Sequence, residues 1–410
     1  MITSPDLDPT VPVLIFKSHR SIFHHGALGI ARNLGRLGVP VYAIVEDRYA
    51  PLAMSRYLTG AFVWQTRGLD TGRLLKETAT VGERLNRPTI LIPIDDVAAL
   101  FVAEHAKQLN RWFLFPNLPS ELPRQLADKT SLYELCKRFG IPCPEHAFPR
   151  SVEAVHEFIG RATFPVVVKP AARWRSVDGV RRTRIVETPE ELLAMYRKVQ
   201  TRQSPNIVFQ EYIPGEDWIF NGYCNPQTNC FLPFTGRKLR SYPASAGTTS
   251  LGVSTINEHL VSQTRSFLNA IAYSGIMDID YRFDKRDGKY KLVDFNPRVG
   301  LNFRIFDDHA GINVVRALHL DLTGRSIRRT PMVEGRLLIV ESMDPVACFN
   351  YLRRGDLTVR ALWSSFIGSR EFAWFSRDDP LPFLSMCIRL LLHIPTRAIQ
   401  HLRWLRRIAN

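Results

Sequence analysis

The segment KLVDFNPRVG, residues 291–300, places Asp294, Asn296 and Arg298 at alternate positions of an otherwise apolar run. A strand that only had to pack would not spend a carboxylate, an amide and a guanidinium in so short a stretch. Strand side chains alternate between faces, so the three polar groups share one face. Just upstream, RFDKRDGKYKL has the form of a hairpin with a three-residue loop, Arg286-Asp287-Gly288, in which Gly288 takes the positive-φ position. Counting back from that loop pairs Lys285 with Lys289, Phe283 with Lys291, and Asp280 with Asp294. Directly opposed residues lie about 5 Å apart at Cβ. Two opposed carboxylates repel unless a positive charge sits between them. Hard divalent cations such as Mg²⁺ take oxygen ligands and usually share them with substrate phosphates. The pair therefore points to a metal, with Asn296 on the same face. The competing readings are a solvated pair on an exposed sheet face, or one carboxylate paired with Arg298 or Arg282.

Two kinds of element must position these residues. Residues 11–115 alternate strand and helix signals: VPVLIF, then the helical spacing of ALGIARNLGRLG ending at Gly38, then PVYAIVE, AFVW, LLKETATVGERLN, TILIP and DDVAALFVAEHAKQL. Such alternation predicts an open α/β sheet with ligand sites at the carboxyl ends of its strands. The loop after the first strand, KSHRSIFHHG, is dense in Lys17, His19, Arg20, His24 and His25. It reads either as a hold for an anionic substrate or as a solvated basic loop, and its GALG is too sparse for a dinucleotide fingerprint. Pro116, Pro119 and Pro123 mark a linker. Beyond it come the helix of DKTSLYELCKRFGIPCP, stopped at Gly140, the strand FPVVVKP, the strand–turn–strand IVFQEYIPGEDWIFNGYC and the hairpin GIMDIDYRFDKRDGKYKLVDFNPR. Strands with few long helices read as α+β.

In this order and spacing the chain resembles the ATP-grasp enzymes, over about residues 11–325. Their C-terminal strand pair carries a metal-binding carboxylate followed by an E-x-N-x-R type segment, here D-F-N-P-R. Within the superfamily, GRKLRSYPASAG and LGIARNLGRLGVPVY are similar to predicted carboxylate–amine ligases related to D-aspartate ligase. The resemblance implies a multi-domain α/β and α+β protein with the ATP-grasp fold. Residues 1–117 would form a Rossmann-like N-terminal domain and 118–330 the ATP-grasp domain, with a lid at about 129–208 and a C-terminal subdomain at about 209–330. Residues 331–410 would be an extension. It further implies that Lys129 and Lys169 hold the ATP phosphates and that Gln210 and Glu211 border the adenine amino group. Tyr212 and Ile213 would offer backbone groups, Asp217 would meet the ribose, and Lys238 and Arg298 would act at the transferred phosphate. Asp280, Asp294 and Asn296 would hold Mg²⁺ or Mn²⁺. The implied reaction activates a carboxylate as an acylphosphate, which an amine (or a thiol) then displaces. The rivals are an ATP-grasp kinase and a nucleotide-binding regulatory module without turnover. Two departures stand out: Asp294 replaces the more usual Glu, and the lid loop ARWRSVDGVRRT has one glycine, Gly179, with Arg173, Arg175, Arg181 and Arg182 in place of backbone amides.

Composition sets the outer bounds. The 410 residues are 45% hydrophobic and 23% charged, ordinary for a globular protein, while a net charge of +15 favours anionic partners. No nucleic-acid motif accompanies that charge. The six scattered cysteines form no C-x-x-C pair and read as reduced thiols; Cys224 and Cys230, flanking the turn NPQTN, are the one pair that could meet across a hairpin. MITSPDLDPTVP is no signal peptide, and LPFLSMCIRLLLHIP, interrupted by Arg389, is too short to span a bilayer. The expected location is the cytoplasm. The final segment, IPTRAIQHLRWLRRIAN, has the spacing of a basic amphipathic helix, with Ile394, Ala398, Leu402, Leu405 and Ile408 on one face. It reads as a contact to an anionic membrane, a partner, or its own domain.

Overall fold

The computed structural model describes residues 5–18, 21–64, 70–172, 174, 183–199, 206–244, 247–365, 367 and 370–392. His19 and Arg20, the arginines and Gly179 of the lid loop, and the basic segment from Ile394 onward lie outside the described residues.

The first sheet is five-stranded and parallel: β1 (Val13–Phe16), β2 (Val41–Val45), β3 (Gly60–Val63), β4 (Thr89–Pro93) and β5 (Phe113–Leu114), in the order β3-β2-β1-β4-β5. This is the strand order of a doubly wound nucleotide fold, and its switch point falls between β1 and β4. The central strands are buried on both faces, which is why VLIF and TILI are unbroken apolar runs. Helix α1 (His25–Gly35) packs its buried face against the sheet, and His24 caps its N-terminus by accepting from Ala27 N through Nδ1.

Four short strands build an antiparallel sheet: β6 (His146–Ala147), β7 (Val166–Pro170), β8 (Arg184–Val186) and β9 (Ile207–Glu211), in the order β6-β9-β7-β8. The helix Lys129–Arg138 precedes them, and Gly140 behind it takes φ +66°. Pro123 belongs to the first turn of the helix Leu122–Ala127 rather than to an extended linker.

The largest sheet has seven strands: β10 (Gly215–Asn225), β11 (Cys230–Tyr242), β12 (Thr248–Ser254), β13 (Gly275–Asp284), β14 (Lys289–Asn296), β15 (Leu337–Ile339) and β16 (Arg370–Phe372). Their order is β14-β13-β10-β11-β12-β15-β16. One face shares a core with the parallel sheet, through Ile219, Tyr223 and Phe234 against Ile15, Leu28 and Ile92. The other face packs Trp218, Phe220, Ile279, Tyr281 and Phe295 against the helices Lys129–Arg138 and Glu258–Ala270.

The β10–β11 register disposes of the disulfide. Cys224 pairs with Phe231 and Cys230 with Asn225. The two cysteines are out of step by one residue, so their side chains enter different cores, and all six thiols are free.

Candidate active site

The β13–β14 hairpin corrects one expectation and explains another. Its loop has four residues, not three: Asp284 pairs with Lys289, Phe283 with Tyr290 and Arg282 with Lys291, while Gly288 takes φ +69° as expected. Near the turn, then, the register differs by one residue from the sequence expectation. A bulge at Val293 restores it, and Asp280 faces Asp294 while Asp278 faces Asn296. Asp284 closes the longer loop. Its carboxylate accepts from Arg286 and pairs with Lys291 at 2.6 Å.

The bulge also accounts for the acid in the apolar run. A bulge leaves one residue unpaired and lets the next resume alternation. Leu292 and Phe295 consequently both enter the core, although an odd number of positions separates them. Asp294 and Asn296 turn to the opposite face. There Asp278, Asp280 and Arg282 alternate with the buried Ile279 and Tyr281. The carbonyl of Val293 accepts from Tyr133 Oη at 3.1 Å and from Lys169 Nζ at 3.4 Å.

On this face lies a cleft of about 570 Å³, within the size range of ligand sites. Lys129, Lys169, Gln210, Glu211, Tyr212, Ile213, Asp217, Lys238, Asp280, Asp294, Asn296 and Arg298 all line it. They arrive from six strands, one helix end, the 212–214 connection and, for Arg298, the turn after β14. Lys129 opens its helix, and β7 delivers Lys169. Gln210 and Glu211 end β9, and the chain leaves the ladder at Tyr212 and Ile213 before β10 begins. Tyr133 Oη donates to Gln210 Oε1 at 2.9 Å, which holds the hinge side chain in place.

Each carboxylate of the opposed pair has a lysine of its own. Lys129 Nζ lies 2.9 Å from Asp294 and Lys238 Nζ 2.8 Å from Asp280. The sequence alternatives had named Arg298 or Arg282 as the partner. Arg282 instead pairs with Asp217 at 3.2 Å, lying over the Tyr212 ring, and Arg298 reaches Asp96 at 3.1 Å and Asn296 Oδ1 at 2.9 Å. Burial disfavours the Lys238 ammonium, but Asp280 and Asp217 outweigh it and raise its pKa. Burial raises the pKa of Asp217.

Sequence reasoning missed Asp278. It stands opposite Asn296, its carboxylate lies 3.7 Å from Arg298 Nη1, and burial followed by the nearby Asp280 pushes its pKa up to about 6. The D-x-D alternation in MDIDY was the available signal. Asp96 was also missed, because it opens the helix Asp96–Glu104 of the N-terminal α/β layer, far from the hairpin in sequence. It follows β4, at the switch point where Asp95 binds the Ser18 amide and hydroxyl, and its salt bridge to Arg298 brings that switch point to the cleft.

No protein-family model matches the chain. In sequence it is 27% identical over 335 residues to the D-aspartate ligase of Enterococcus faecium (strain Aus0004), an alignment covering 77% of each protein. In structure it resembles N5-carboxyaminoimidazole synthetase from Staphylococcus aureus, solved with ADP, at a TM-score of 0.61 and 12% identity over 82% of each chain. The L-amino acid ligase from Bacillus licheniformis superposes with a TM-score of 0.57 at 16% identity, over 79% of this chain and 75% of that one. This chain has the ATP-grasp fold. The four-stranded and seven-stranded sheets both line the cleft, with Lys169 and the Gln210–Ile213 hinge on the four-stranded side and the acidic hairpin on the seven-stranded side.

The donor set suits a hard cation. Three carboxylates and an amide oxygen share the cleft face, and burial first, then the neighbouring Asp280, raises the Asp278 pKa. Among the described residues no three His, Cys, Asp or Glu side chains converge to hold an ion unaided. Mg²⁺ commonly takes one or two carboxylates and completes its shell with water and phosphates, and Asp280 with Asp294 offer that number.

Proposed function

We propose that this chain is an ATP-dependent carboxylate–amine ligase. The observation that carries the reading is the single cleft in which buried Lys129 and Lys169, Lys238, Arg298 and the Asp280–Asp294 pair meet the Gln210–Ile213 hinge. The resemblance to D-aspartate ligase supports an amino acid among the substrates.

The roles follow from charge and place. The hinge takes the adenine, with Asp217, steadied by Arg282, at the ribose. Lys129 and Lys169 take the phosphates, and Lys238 and Arg298 stand where charge develops on the transferred group. Such placed charge is the main catalytic resource in phosphoryl transfer. Asp280 and Asp294 would hold Mg²⁺ or Mn²⁺, which supplies neutralisation of phosphate charge. Asn296 keeps Arg298 aimed, since its amide oxygen accepts from Nη2. The substrate carboxylate takes the γ-phosphoryl group, giving an acylphosphate and ADP. The amine nitrogen then attacks the acyl carbon, loses a proton, and phosphate leaves as the amide forms.

The test is ADP release over pools of carboxylates and amino acids, with mass detection of products. An amide formed in step with ADP is expected; a phosphorylated product alone would make the protein a kinase, and ATP binding without ADP release a regulatory module. In the same assay Asp294→Asn should lower turnover about 100-fold or more, as loss of one preorganised charge in an active site typically does, with part regained at high Mg²⁺ or with Mn²⁺. Superimposable Mg²⁺ curves for the variant and the wild type would remove the metal role.

A further inference from the structure

Residues 381–392 form a helix that is apolar on two sides. Phe383, Met386, Cys387 and Leu390 pack onto the main core. Leu381, Leu384, Ile388, Leu391 and Leu392 point outward and are 49%, 51%, 58%, 65% and 66% exposed. Their spacing puts them on one face, the opposite of the packed one. A helix apolar on two opposite faces is normally buried on both, and among the described residues nothing covers this outer face. The helix itself is firmly seated. Ser385 Oγ donates to Tyr49 O at 2.7 Å, and Arg389 binds Tyr49 O and the Asp47 carboxylate. Tyr49, beside it, is 72% exposed.

The rim of this face, taken as the segments 46–56 and 376–380 that adjoin the helix, has each of its acids paired with a base. Asp47 is neutralised by Arg389 and Asp378 by Arg36. Arg48, Arg56 and Arg377 remain exposed with no carboxylate partner among the described residues. In sequence, residues 393–410 carry four arginines and no acid. A second copy docked by a two-fold axis would set this arginine rim against itself. An anionic lipid surface complements it, at roughly 1 kcal/mol per basic residue close to the headgroups, and takes the leucine side chains into its outer layer.

We propose that the outer face of the 381–392 helix is a peripheral docking face for an anionic lipid bilayer, lying in the interface with Leu384 and Ile388 inserted. No helix among the described residues is long and apolar enough to cross a membrane, so the contact is to one leaflet. The proposal stands whether or not the cleft is a ligase.

The full chain should float with vesicles of phosphatidylglycerol and phosphatidylcholine, and stay behind with phosphatidylcholine alone or in high salt. The double variants Leu384→Ser/Ile388→Ser and Leu384→Asp/Ile388→Asp should each weaken vesicle binding about tenfold or more, given the apolar area removed. Their circular dichroism and Tm should match the wild type, because both positions are outside the packed face. If one pair unfolds the protein, the other still decides. Absence of flotation with anionic vesicles, or flotation that neither variant diminishes, overturns the proposal. So does a concentration-dependent dimer in sedimentation that the variants dissociate, because a second copy would then be the cover.

Discussion

His25 shows how one residue registers the whole environment. It is fully buried at the start of α1, neither ring nitrogen has a hydrogen-bond partner among the described residues, and its ring meets Trp374 edge-on at 6.0 Å. Burial, with the Arg304 guanidinium nearby, pulls its pKa from 6.5 down to about 3. The folded state therefore binds fewer protons than the unfolded chain between those values. Its contribution to stability is present above pH 6.5 and is lost as pH falls toward 3, with a slope of at most about 1.4 kcal/mol per pH unit. His25→Phe keeps the ring packing and removes the titration. Denaturant melts from pH 7 to pH 4 should show a shallower loss of stability in the variant; parallel curves would mean that His25 does not stay neutral. The Asp294–Lys129 pair is the converse case, since a buried charge is matched there, and removing either member leaves the other exposed to the full cost of burial.

At the scale of elements, Tyr133 binds three of them. From the helix Lys129–Arg138 its hydroxyl donates toward both Gln210 on the β9 hinge and the Val293 carbonyl at the bulge, and its ring lies 4.5 Å from that of His146 on β6. Tyr133→Phe keeps the ring and takes from Gln210 Oε1 its 2.9 Å donor, at a cost of about 1–3 kcal/mol. Because Val293 O also receives Lys169, ATP affinity should fall together with stability. Calorimetric titration with ATP, alongside thermal melts, checks both, and lost stability with unchanged affinity would confine Tyr133 to a packing role. The hairpin teaches how far local counting reaches. Asp280 was placed opposite Asp294 from the turn signal in RDGK, yet the count arrived there only because a loop one residue longer, closed at Asp284, and a bulge at Val293 offset each other. Turn chemistry was legible in Gly288; the bulge was not, because it is chosen by which side chains the core accepts.

For the molecule as a whole, the described residues between 331 and 392 are joined to the main body. β15 and β16 extend the seven-stranded sheet, and Arg32 of α1 pairs with buried Asp379 at 2.9 Å and donates to Trp374 O and Asp379 O. Asp379 also accepts from Ser55 Oγ and the Arg56 amide. Asp379→Ala strands a buried guanidinium and should cost about 3–5 kcal/mol. Urea unfolding of the variant measures this directly, and a loss below about 1 kcal/mol would show that Arg32 finds relief elsewhere.

The sequence alone determined those features that depend on near neighbours. Alternating strand and helix runs announced the parallel sheet, and the ordered motifs DKTS, VVVKP, QEYIPGED and DFNPR brought the cleft residues into view before any of them was placed in space. Period and turn chemistry are local, so they survive in the linear text. Only the tertiary structure decided the partners: Lys129 for Asp294, Lys238 for Asp280, Asp96 for Arg298. Those pairs join residues from 42 to 202 positions apart, as the differences 280 − 238 and 298 − 96 show. Charge seeks the nearest opposite charge in three dimensions, and that distance is set by how the sheets stack rather than by anything written beside either residue.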